Sequence, residues 1–403
     1  MLKRAFLFFG VIGLTASLSW RSYSAEPSEH VRELRNPSAP GSLAPGLFAS
    51  PDGALILTWI ETAGTSKALK YASWDGNAWT KPATVLSQSD LQPDSAAPPI
   101  VLKLKNGSLI AVWSEIVRSR GKEEGNFLFA SASSNSGKNW STPVRIHSDQ
   151  GISEHSYSSI AATGAGQATL IWLDSRDYDT KHRYRLMSVT IESDGKLGEE
   201  KTIDQDTCTC CPTAFVKTTT GALAAYRGHN PEEIRDIKVA RLKDGTWQTP
   251  HTVHDDVWKI NGCPVNGPAL ASSGKNVGVV WFTGSNDKPE VKFALSNDQG
   301  ATFQAPITLD SSNGENRPVG HVAVSLLEDG STVAIWLHHE TSGTDLVGER
   351  ISPSGQRSGT FIVARGTETS LGYPRAQRLE NQLVVSWGGK PGKGIKTTVV
   401  KEE

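Results

Sequence analysis

The 403-residue sequence contains only four cysteines and two methionines, and beyond its N-terminal segment it has no apolar run long enough to span a bilayer. Positive and negative charges nearly cancel, with 41 Lys and Arg against 42 Asp and Glu, and no long basic run indicates a nucleic-acid partner. The GxSxG, HExxH, P-loop and EF-hand patterns are also missing. These absences argue against nucleic-acid binding and against the enzyme and binding classes that carry those four signatures.

Glycine, proline and tryptophan are frequent instead, at 38, 21 and 12 residues. Such a composition is typical of many short strands joined by turns. Seven short apolar runs each follow a turn signal and end in an aromatic residue, at intervals of 51 to 59 residues. Those aromatic residues are Trp59, Trp113, Trp172, Tyr226, Trp281, Trp336 and Trp387. A repeat of this length predicts four antiparallel strands in each unit, which is the size of a propeller blade.

The N-terminus has the pattern of an export signal. Lys3 and Arg4 precede the apolar core 5–18, and Ser22 and Ser24 provide small residues before a cleavage point. We therefore expect a signal peptide at 1–25, a mature domain at 26–403, no stable membrane span after cleavage, and a periplasmic or secreted location. An uncleaved anchor helix is the alternative. An exported chain meets an oxidising environment, where paired thiols become disulfides.

The sequence predicts an all-β fold, a seven-bladed β-propeller with six blades as the alternative. The seventh unit lacks a fourth strand because the chain ends at VVKEE. The N-terminal stretch EHVRELRNP has the pattern of that missing strand. We expect it to complete the last blade and to close the ring, which leaves no exposed sheet edge.

One turn, SNDQGATF at 296–303, matches the Asp-box pattern S-x-D-x-G-x-T-F, and SSNSGKNW at 133–140 matches it with Asn135 in place of Asp. These boxes resemble those of the sialidase-like, or BNR-repeat, β-propellers. Together with DTCTCCPTAF and AYRGHNPEEIRDI they are similar to an exported bacterial group with a CxCC motif. The resemblance implies a propeller fold and a structural Asp-box formed by Ser296, Asp298, Gly300 and Phe303. If the protein is an enzyme, the resemblance implies an exo-sialidase-like glycoside hydrolase.

Propeller topology predicts which loops share a face. Loops between the second and third strands, and links between blades, lie at one face, whereas the Asp-box turns lie at the other. The first face gathers charged residues, and such a mouth is the usual ligand site of a concave fold. The expected ligand is a glycan or small anion, bound by Arg176, Arg227, Arg235, Arg317 and His229, because arginine binds carboxylates with two parallel hydrogen bonds.

Candidate catalytic residues lie at the same face. Asp174 is a candidate acid/base, and Glu233 could activate Tyr226. Two other interpretations stay open. These Arg and Glu residues could pair with each other, and Tyr226 occupies the position of the repeated core aromatic. Catalytic sialidases also have six blades and an N-terminal Arg-Ile-Pro, whereas this sequence has seven units and Arg35-Asn36-Pro37.

The cysteines support three interpretations. Disulfides are one, with Cys208 and Cys211 at C-x-x-C spacing and Cys210 within reach of Cys263 across a blade boundary. A copper or zinc centre is the second, because soft thiolate ligands select Cu(I) and Zn(II). Its ligands would be Cys208, Cys210, Cys211 and Cys263, with His321 as a further ligand. A redox-active pair is the third.

Overall fold

Seven antiparallel sheets follow one another along the chain and form a seven-bladed β-propeller, which confirms the predicted fold and blade number. The computed structural model describes residues 31–119, 122–181, 183–311, 314–380, 382–388, 392 and 394–401. The predicted signal peptide therefore lies outside the described residues. Among those that are described, no helix has the length and apolar character needed to cross a membrane.

The first strand, β1 (Val31–Glu33), belongs to the last blade, and blades one to three follow it in chain order. Blade one contains β2 (Leu43–Ala49), β3 (Leu55–Ala63), β4 (Ser66–Trp74) and β5 (Ala83–Gln88). Blade two contains β6 (Ile100–Lys103), β7 (Leu109–Ser119), β8 (Lys122–Ser133) and β9 (Val144–Arg145). Blade three contains β10 (His155–Ala162), β11 (Gln167–Asp174), β12 (Tyr184–Glu192) and β13 (Lys201–Thr207), with the short helix α1 (Tyr178–Lys181) between β11 and β12.

Blade four differs from the others because its outer edge is split into two short strands that both pair with its third strand. It contains β14 (Ala214–Thr218), β15 (Gly221–Arg227), β16 (Ile237–Lys243), β17 (Thr246–Trp247) and β18 (His251–Thr252). Blade five contains β19 (Ala269–Ser273), β20 (Asn276–Thr283), a 3₁₀ turn (Ser285–Asp287), β21 (Glu290–Ser296) and β22 (Ile307–Ser311). Blade six contains β23 (Arg317–Leu326), β24 (Thr332–Glu340), β25 (Gly343–Ile351) and β26 (Arg357–Gly366). Helix α2 (Glu368–Leu371) leads to blade seven, with β27 (Arg375–Leu379), β28 (Gln382–Trp387), β29 (Lys396–Lys401) and β1.

The core lies between neighbouring blades. Each repeated aromatic occupies the second strand of its blade, and all seven are at most 8% exposed. Both faces of these strands are covered by adjacent blades, which explains why runs such as LILTW are continuously apolar. Truncating one such buried aromatic costs about 3–5 kcal/mol in general. Seven equivalent sites therefore hold the ring together.

The ring closes through the two ends of the chain, as the sequence predicted. Strand β1 pairs with β29 in antiparallel register, with Val31 opposite Val400. The Leu34 amide then donates to the Thr397 carbonyl at 2.9 Å, and the Leu34 side chain packs into the core between blades one and seven. Closure in this way pairs the edge of β29 with β1 and completes a four-stranded blade.

The turns and loops separate into two faces, which we call lower and upper. Turns between first and second strands and between third and fourth strands share the lower face, where the Thr220 amide donates to Gln299 Oε1 at 2.8 Å. Loops between second and third strands meet the inter-blade links at the upper face. There the Cys208 amide donates to the Arg227 carbonyl at 3.0 Å. The cysteine cluster and the Asp-box turn therefore lie at opposite faces.

The turn that matches the Asp-box pattern is organised by side-chain hydrogen bonds. Asp298 Oδ1 accepts from the Thr302 amide at 2.9 Å, and Asp298 Oδ2 accepts from the Thr302 hydroxyl at 2.7 Å. Ser296 Oγ accepts from the Gly300 amide at 2.8 Å. Gly300 has φ +78°, and a Cβ there would lie 2.5 Å from Leu223, so only glycine fits. Phe303 packs on the core of blades four and five.

Candidate functional site

Bulged inner strands shape the mouth of the central channel at the upper face. Four residues other than glycine have positive φ angles where the chain enters a blade: Ala44 (55°), Tyr157 (52°), Val265 (49°) and His321 (49°). The register of the inner strand shifts beside Ala44, Tyr157 and His321. Bulges and positive φ angles are common beside binding sites, where they redirect side chains. Here they bring Tyr157 and His321 into the wall of the channel.

The channel encloses a cavity of about 920 Å³. Its upper part is lined by Ala96, Tyr157, Pro212, His321, Tyr373 and Arg375. Its lower part includes Asp52, Asp75 and Glu380, which lie in turns of the lower face. Among the described residues, these three are the only acids that line the cavity. The lining of the upper part is therefore aromatic and cationic, and the Asp94 carboxylate lies close enough behind it to act on the charge of Arg375.

Two aromatic rings form one wall of the upper cavity. His321 stacks on Tyr373 with ring centroids 3.9 Å apart and an angle of 21° between their planes. His321 Nδ1 bonds the Gly372 carbonyl at 2.9 Å, and the Tyr373 hydroxyl donates to the Val265 carbonyl at 2.9 Å. Burial lowers the pKa of His321, and burial raises the pKa of Tyr157 and Tyr373. The wall is therefore uncharged at neutral pH.

Arg375 supplies the positive charge of the upper cavity. Its Nη2 donates to the carbonyls of Ser95 at 3.1 Å and Ala96 at 3.3 Å. Burial lowers the pKa of Arg375 to about 10, so the guanidinium stays charged at neutral pH. Within the described chain these are the hydrogen bonds that Arg375 makes, and both use a single nitrogen. Arg375 lies within an ordinary strand pattern, so no sequence signal marks it as a binding residue.

Arg227, a predicted ligand-binding residue, is instead tied to the backbone. It is only 1% exposed, and its guanidinium donates to the carbonyls of Asn266, Arg235 and Phe282 at 2.7–2.9 Å. It also lies over the Trp258 ring, 4.7 Å from the centroid. Four of the five guanidinium N–H groups are used in this way, so Arg227 holds blades four and five together and offers little to a ligand.

Arg176 and Asp174 form an internal ion pair. Arg176 donates to both Asp174 oxygens at 2.8 and 2.7 Å, and to Glu200 at 2.9 Å. Asp174 is fully buried and also accepts from Trp172 Nε1 at 2.9 Å. Burial opposes ionisation of Asp174, but Arg176 outweighs it and keeps the pKa of the carboxyl below its usual value. Arg176 therefore pairs with acidic residues of the protein itself, which is the alternative to ligand binding that the sequence left open.

Tyr226 and Glu233 do not form the predicted pair. The Tyr226 hydroxyl donates to Asp204 at 2.7 Å, and the residue is fully buried in the position of a core aromatic. Glu233 is half-exposed and accepts from Arg235 at 2.8 Å, which lowers its pKa. Glu233 therefore contacts Arg235 and His229 rather than Tyr226.

Of the remaining predicted binding residues, His229 and Arg235 share a contact with Glu233, whereas Arg317 lies in another blade. His229 Nδ1 bonds Asp206 at 2.6 Å, and its Nε2 lies 3.3 Å from Glu233. Arg317 is exposed at the start of β23, in blade six. Arg235 contacts Glu233 and the Cys208 sulfur. Predictions of ligand binding by these three residues stay predictions.

The four cysteines meet at the upper face, where the link after β13 approaches the link before β19. Cys210 and Cys263 form a disulfide, as one interpretation expected, whereas Cys208 and Cys211 are buried thiols. A Cβ on Gly267 would lie 1.9 Å from the Pro212 carbonyl oxygen, so glycine permits the two links to pack this closely.

The predicted metal centre is not assembled from these residues. Two of its four sulfurs are bonded to each other, so four thiolates are not available. Of the metal-binding side chains that the structure describes, Cys208, Cys210 and Cys211 lie within 4.8 Å of one another, and His321 is not in this group. The disulfide interpretation therefore accounts for the sulfurs better than a copper or zinc centre.

A second buried polar cluster, between blades two and three, has no sequence signature. His147 Nδ1 and His155 Nε2 both bond Asp149 Oδ1, at 2.6 and 2.9 Å, and the two imidazoles stack 3.4 Å apart. His155 Nδ1 bonds the Asn126 carbonyl at 2.8 Å. Burial opposes ionisation of Asp149, yet the two histidines hold the pKa of its carboxyl well below its usual value. The cluster therefore keeps a carboxylate charged inside the protein.

No family model matches this sequence, and no curated protein matches it either. Solved structures do match. An α-L-arabinofuranosidase of Fusarium graminearum in complex with an iminosugar inhibitor has a TM-score of 0.51 and 15% identity, with 90% of this chain and 93% of that chain covered. The same enzyme with arabinobiose has a TM-score of 0.50 and 14% identity, with 90% of this chain and 93% of that chain covered. An intramolecular trans-sialidase from Ruminococcus gnavus has a TM-score of 0.48 and 10% identity, with 90% of this chain and 96% of that chain covered.

These neighbours are β-propeller glycoside hydrolases of the sialidase and arabinofuranosidase type. At such identities the likeness shows the fold alone. Any assignment of activity must therefore come from the chemistry of the cavity itself.

Proposed function

We propose that this protein recognises an anionic glycan, or a similar small anion, in the upper part of its central cavity. The observation that carries the proposal is Arg375, a half-buried cation in the cavity wall that uses one nitrogen for both of its hydrogen bonds to the protein. Its other N–H groups suit a carboxylate, which guanidinium binds in a planar, two-pronged arrangement.

The aromatic wall supports a sugar as the bearer of that anion. Tyr157, Tyr373 and His321 offer uncharged faces and polar edges beside Arg375. Mostly apolar walls with a few oriented polar groups are typical of small-molecule sites. The cavity volume also suits such a ligand, since ligand sites commonly span roughly 300–1,000 Å³. Solved neighbours of the same fold bind an iminosugar inhibitor or arabinobiose, which is consistent with a glycan.

Recognition is favoured over hydrolysis by the distribution of acids. Glycoside cleavage generally uses two carboxyl groups flanking the scissile bond. Among the described residues, the acids that line this cavity lie at its lower end, and Asp94, whose charge acts on Arg375, is not part of the lining. Asp174, a predicted acid/base, is buried in an ion pair with Arg176.

Calorimetric titration of the purified protein tests the proposal. The probes are N-acetylneuraminic acid, glucuronic acid and the neutral disaccharide arabinobiose. We expect one of the acids to bind, and Arg375→Gln to weaken that binding roughly tenfold or more because a charge-assisted pair is lost. Arg375→Lys should retain part of the affinity. Arg378→Gln is the matched control, because Arg378 lines the lower end of the same cavity.

Equal affinity in Arg375→Gln and wild type would contradict the proposal, as would binding of arabinobiose alone. Release of a fluorophore from a sialoside by the wild-type protein, and its loss in Asp174→Asn and Glu233→Gln, would instead establish hydrolysis. We further propose that the protein is exported to the periplasm or beyond. N-terminal sequencing of the mature chain should then begin near Ala25. An intact Met1 in protein recovered from the cytoplasmic fraction would contradict export.

A further inference from the structure

The sulfurs at the upper face form a graded series from buried to exposed. Cys208 and Cys211 are each 1% exposed, and their Sγ atoms lie 3.5 Å apart. Cys210 is half-buried, and its disulfide partner Cys263 is exposed. The sulfurs of Cys208, Cys210 and Cys211 all lie within 4.8 Å of one another. A buried dithiol thus lies directly beside a disulfide whose far end faces solvent.

Of the two buried thiols, Cys208 has the surroundings that favour a thiolate. Arg235 Nη1 donates to its sulfur at 3.4 Å, and Arg227 lies close by. The hydrogen bond from Cys211 lowers the pKa of Cys208 to about 5, although burial opposes this shift, and the Cys210 amide and the two arginines contribute. Burial raises the pKa of Cys211. Thiolates, not thiols, attack disulfides, so the two cysteines have distinct roles.

We propose that these four cysteines form a thiol–disulfide exchange site, in which the buried Cys208/Cys211 dithiol transfers two electrons to the Cys210–Cys263 disulfide and through it to a low-molecular-weight disulfide at the surface. In the first step the Cys208 thiolate attacks Cys210 Sγ. The Cys208–Cys210 bond forms, the Cys210–Cys263 bond breaks, and Cys263 leaves as an exposed thiolate.

In the second step Cys211 attacks Cys208 Sγ and gives up its proton to the departing Cys210 sulfur. The Cys208–Cys211 bond forms, the Cys208–Cys210 bond breaks, and Cys210 becomes a thiol. No electrons enter or leave the chain in these two steps. Cys263 then attacks an external disulfide RSSR and releases one RSH, and attack by Cys210 on Cys263 releases the second. The balance is one RSSR reduced to two RSH and one buried dithiol oxidised.

Two serine variants test the exchange without any added reductant. Cys211→Ser and Cys208→Ser each keep three cysteines and one bridge, but only the first keeps the nucleophile. The folded variants are treated with iodoacetamide at pH 7, quenched with acid and mapped by peptide mass spectrometry. We expect Cys263 to be labelled in Cys211→Ser, with a Cys208–Cys210 bridge, at least about tenfold more than in Cys208→Ser.

Hydroxyethyl disulfide is the probe for the external step. It should form a mixed disulfide on Cys263 in Cys211→Ser and not in Cys208→Ser. Cys263 that stays unlabelled in both variants, or is labelled equally in both, would overturn the proposal. If a serine variant fails to fold, wild-type protein in a glutathione buffer gives a second reading after acid quenching. Singly bridged chains should carry Cys208–Cys211 as well as Cys210–Cys263, and a bridge confined to Cys210–Cys263 would overturn the exchange.

Discussion

Val31 lies opposite Val400 in blade seven, so the first described residue of the chain and one of the last share a single sheet. Arg32 and Thr398, which are 366 residues apart, also hydrogen-bond across this junction at 2.7 Å. The side chain that fixes the junction in the core is Leu34, at 4% exposure.

Leu34→Ala is therefore expected to lower the free energy of unfolding by about 3 kcal/mol, because it leaves a cavity between blades one and seven. Urea unfolding followed by tryptophan fluorescence measures the change. Arg32→Ala, on the exposed side of the same segment, is the matched control and should lie within about 0.5 kcal/mol of wild type. An equal loss of unfolding free energy in the two variants would show that the junction does not depend on Leu34.

Asp298→Ala is expected to cost about 1–2 kcal/mol, because the Thr302 amide and hydroxyl lose their acceptor. Asp298→Asn should cost less. The second hairpin of this pattern already uses Asn135, whose Oδ1 accepts from the Asn139 amide at 2.9 Å. The same unfolding measurement applies. Affinity for the anionic ligand should not change, since this turn lies at the lower face. A lower affinity of Asp298→Ala in the calorimetric titration would contradict the separation of the turn from the binding site.

Acid should destabilise the protein well before its carboxylates protonate. Burial lowers the pKa of His147, His251 and His321, so below about pH 6.5 the unfolded chain binds protons that the folded chain does not. The free energy of unfolding then falls as pH drops from 7 to 5. His338 has a raised pKa, since Asp310 outweighs its burial, so its stabilisation is complete below pH 6.5 and is lost at higher pH.

His147→Phe keeps an aromatic ring beside His155 and removes one titrating group. We expect the fall in unfolding free energy between pH 7 and pH 5 to become shallower, by at most about 1.4 kcal/mol per pH unit for a single proton. Urea titrations at pH 7, 6 and 5 measure the slope. An unchanged slope would mean that His147 takes up its proton equally in both states.

Periodicity made the fold predictable, because Trp59, Trp113 and their counterparts recur once in each blade and are all buried between neighbouring blades. The site was less predictable. Tyr157 enters the cavity wall through a positive φ angle and a shift in register, neither of which has a sequence signature. Arg227 and Arg375 look alike in sequence, yet one is saturated by backbone carbonyls and the other lines the cavity. Only the packing of neighbouring blades distinguishes the two.

The pairing of β1 with β29 also has a consequence for the order of assembly. A chain that is synthesised from its N-terminus presents β1 (Val31–Glu33) long before its partner β29 (Lys396–Lys401). Blades one to six can form before β29 has been made, but the sheet of blade seven cannot be completed until then. Contacts of such long sequence separation form slowly. Residues 31–33 therefore stay unpaired longest, and they are the segment that a chaperone would most need to protect.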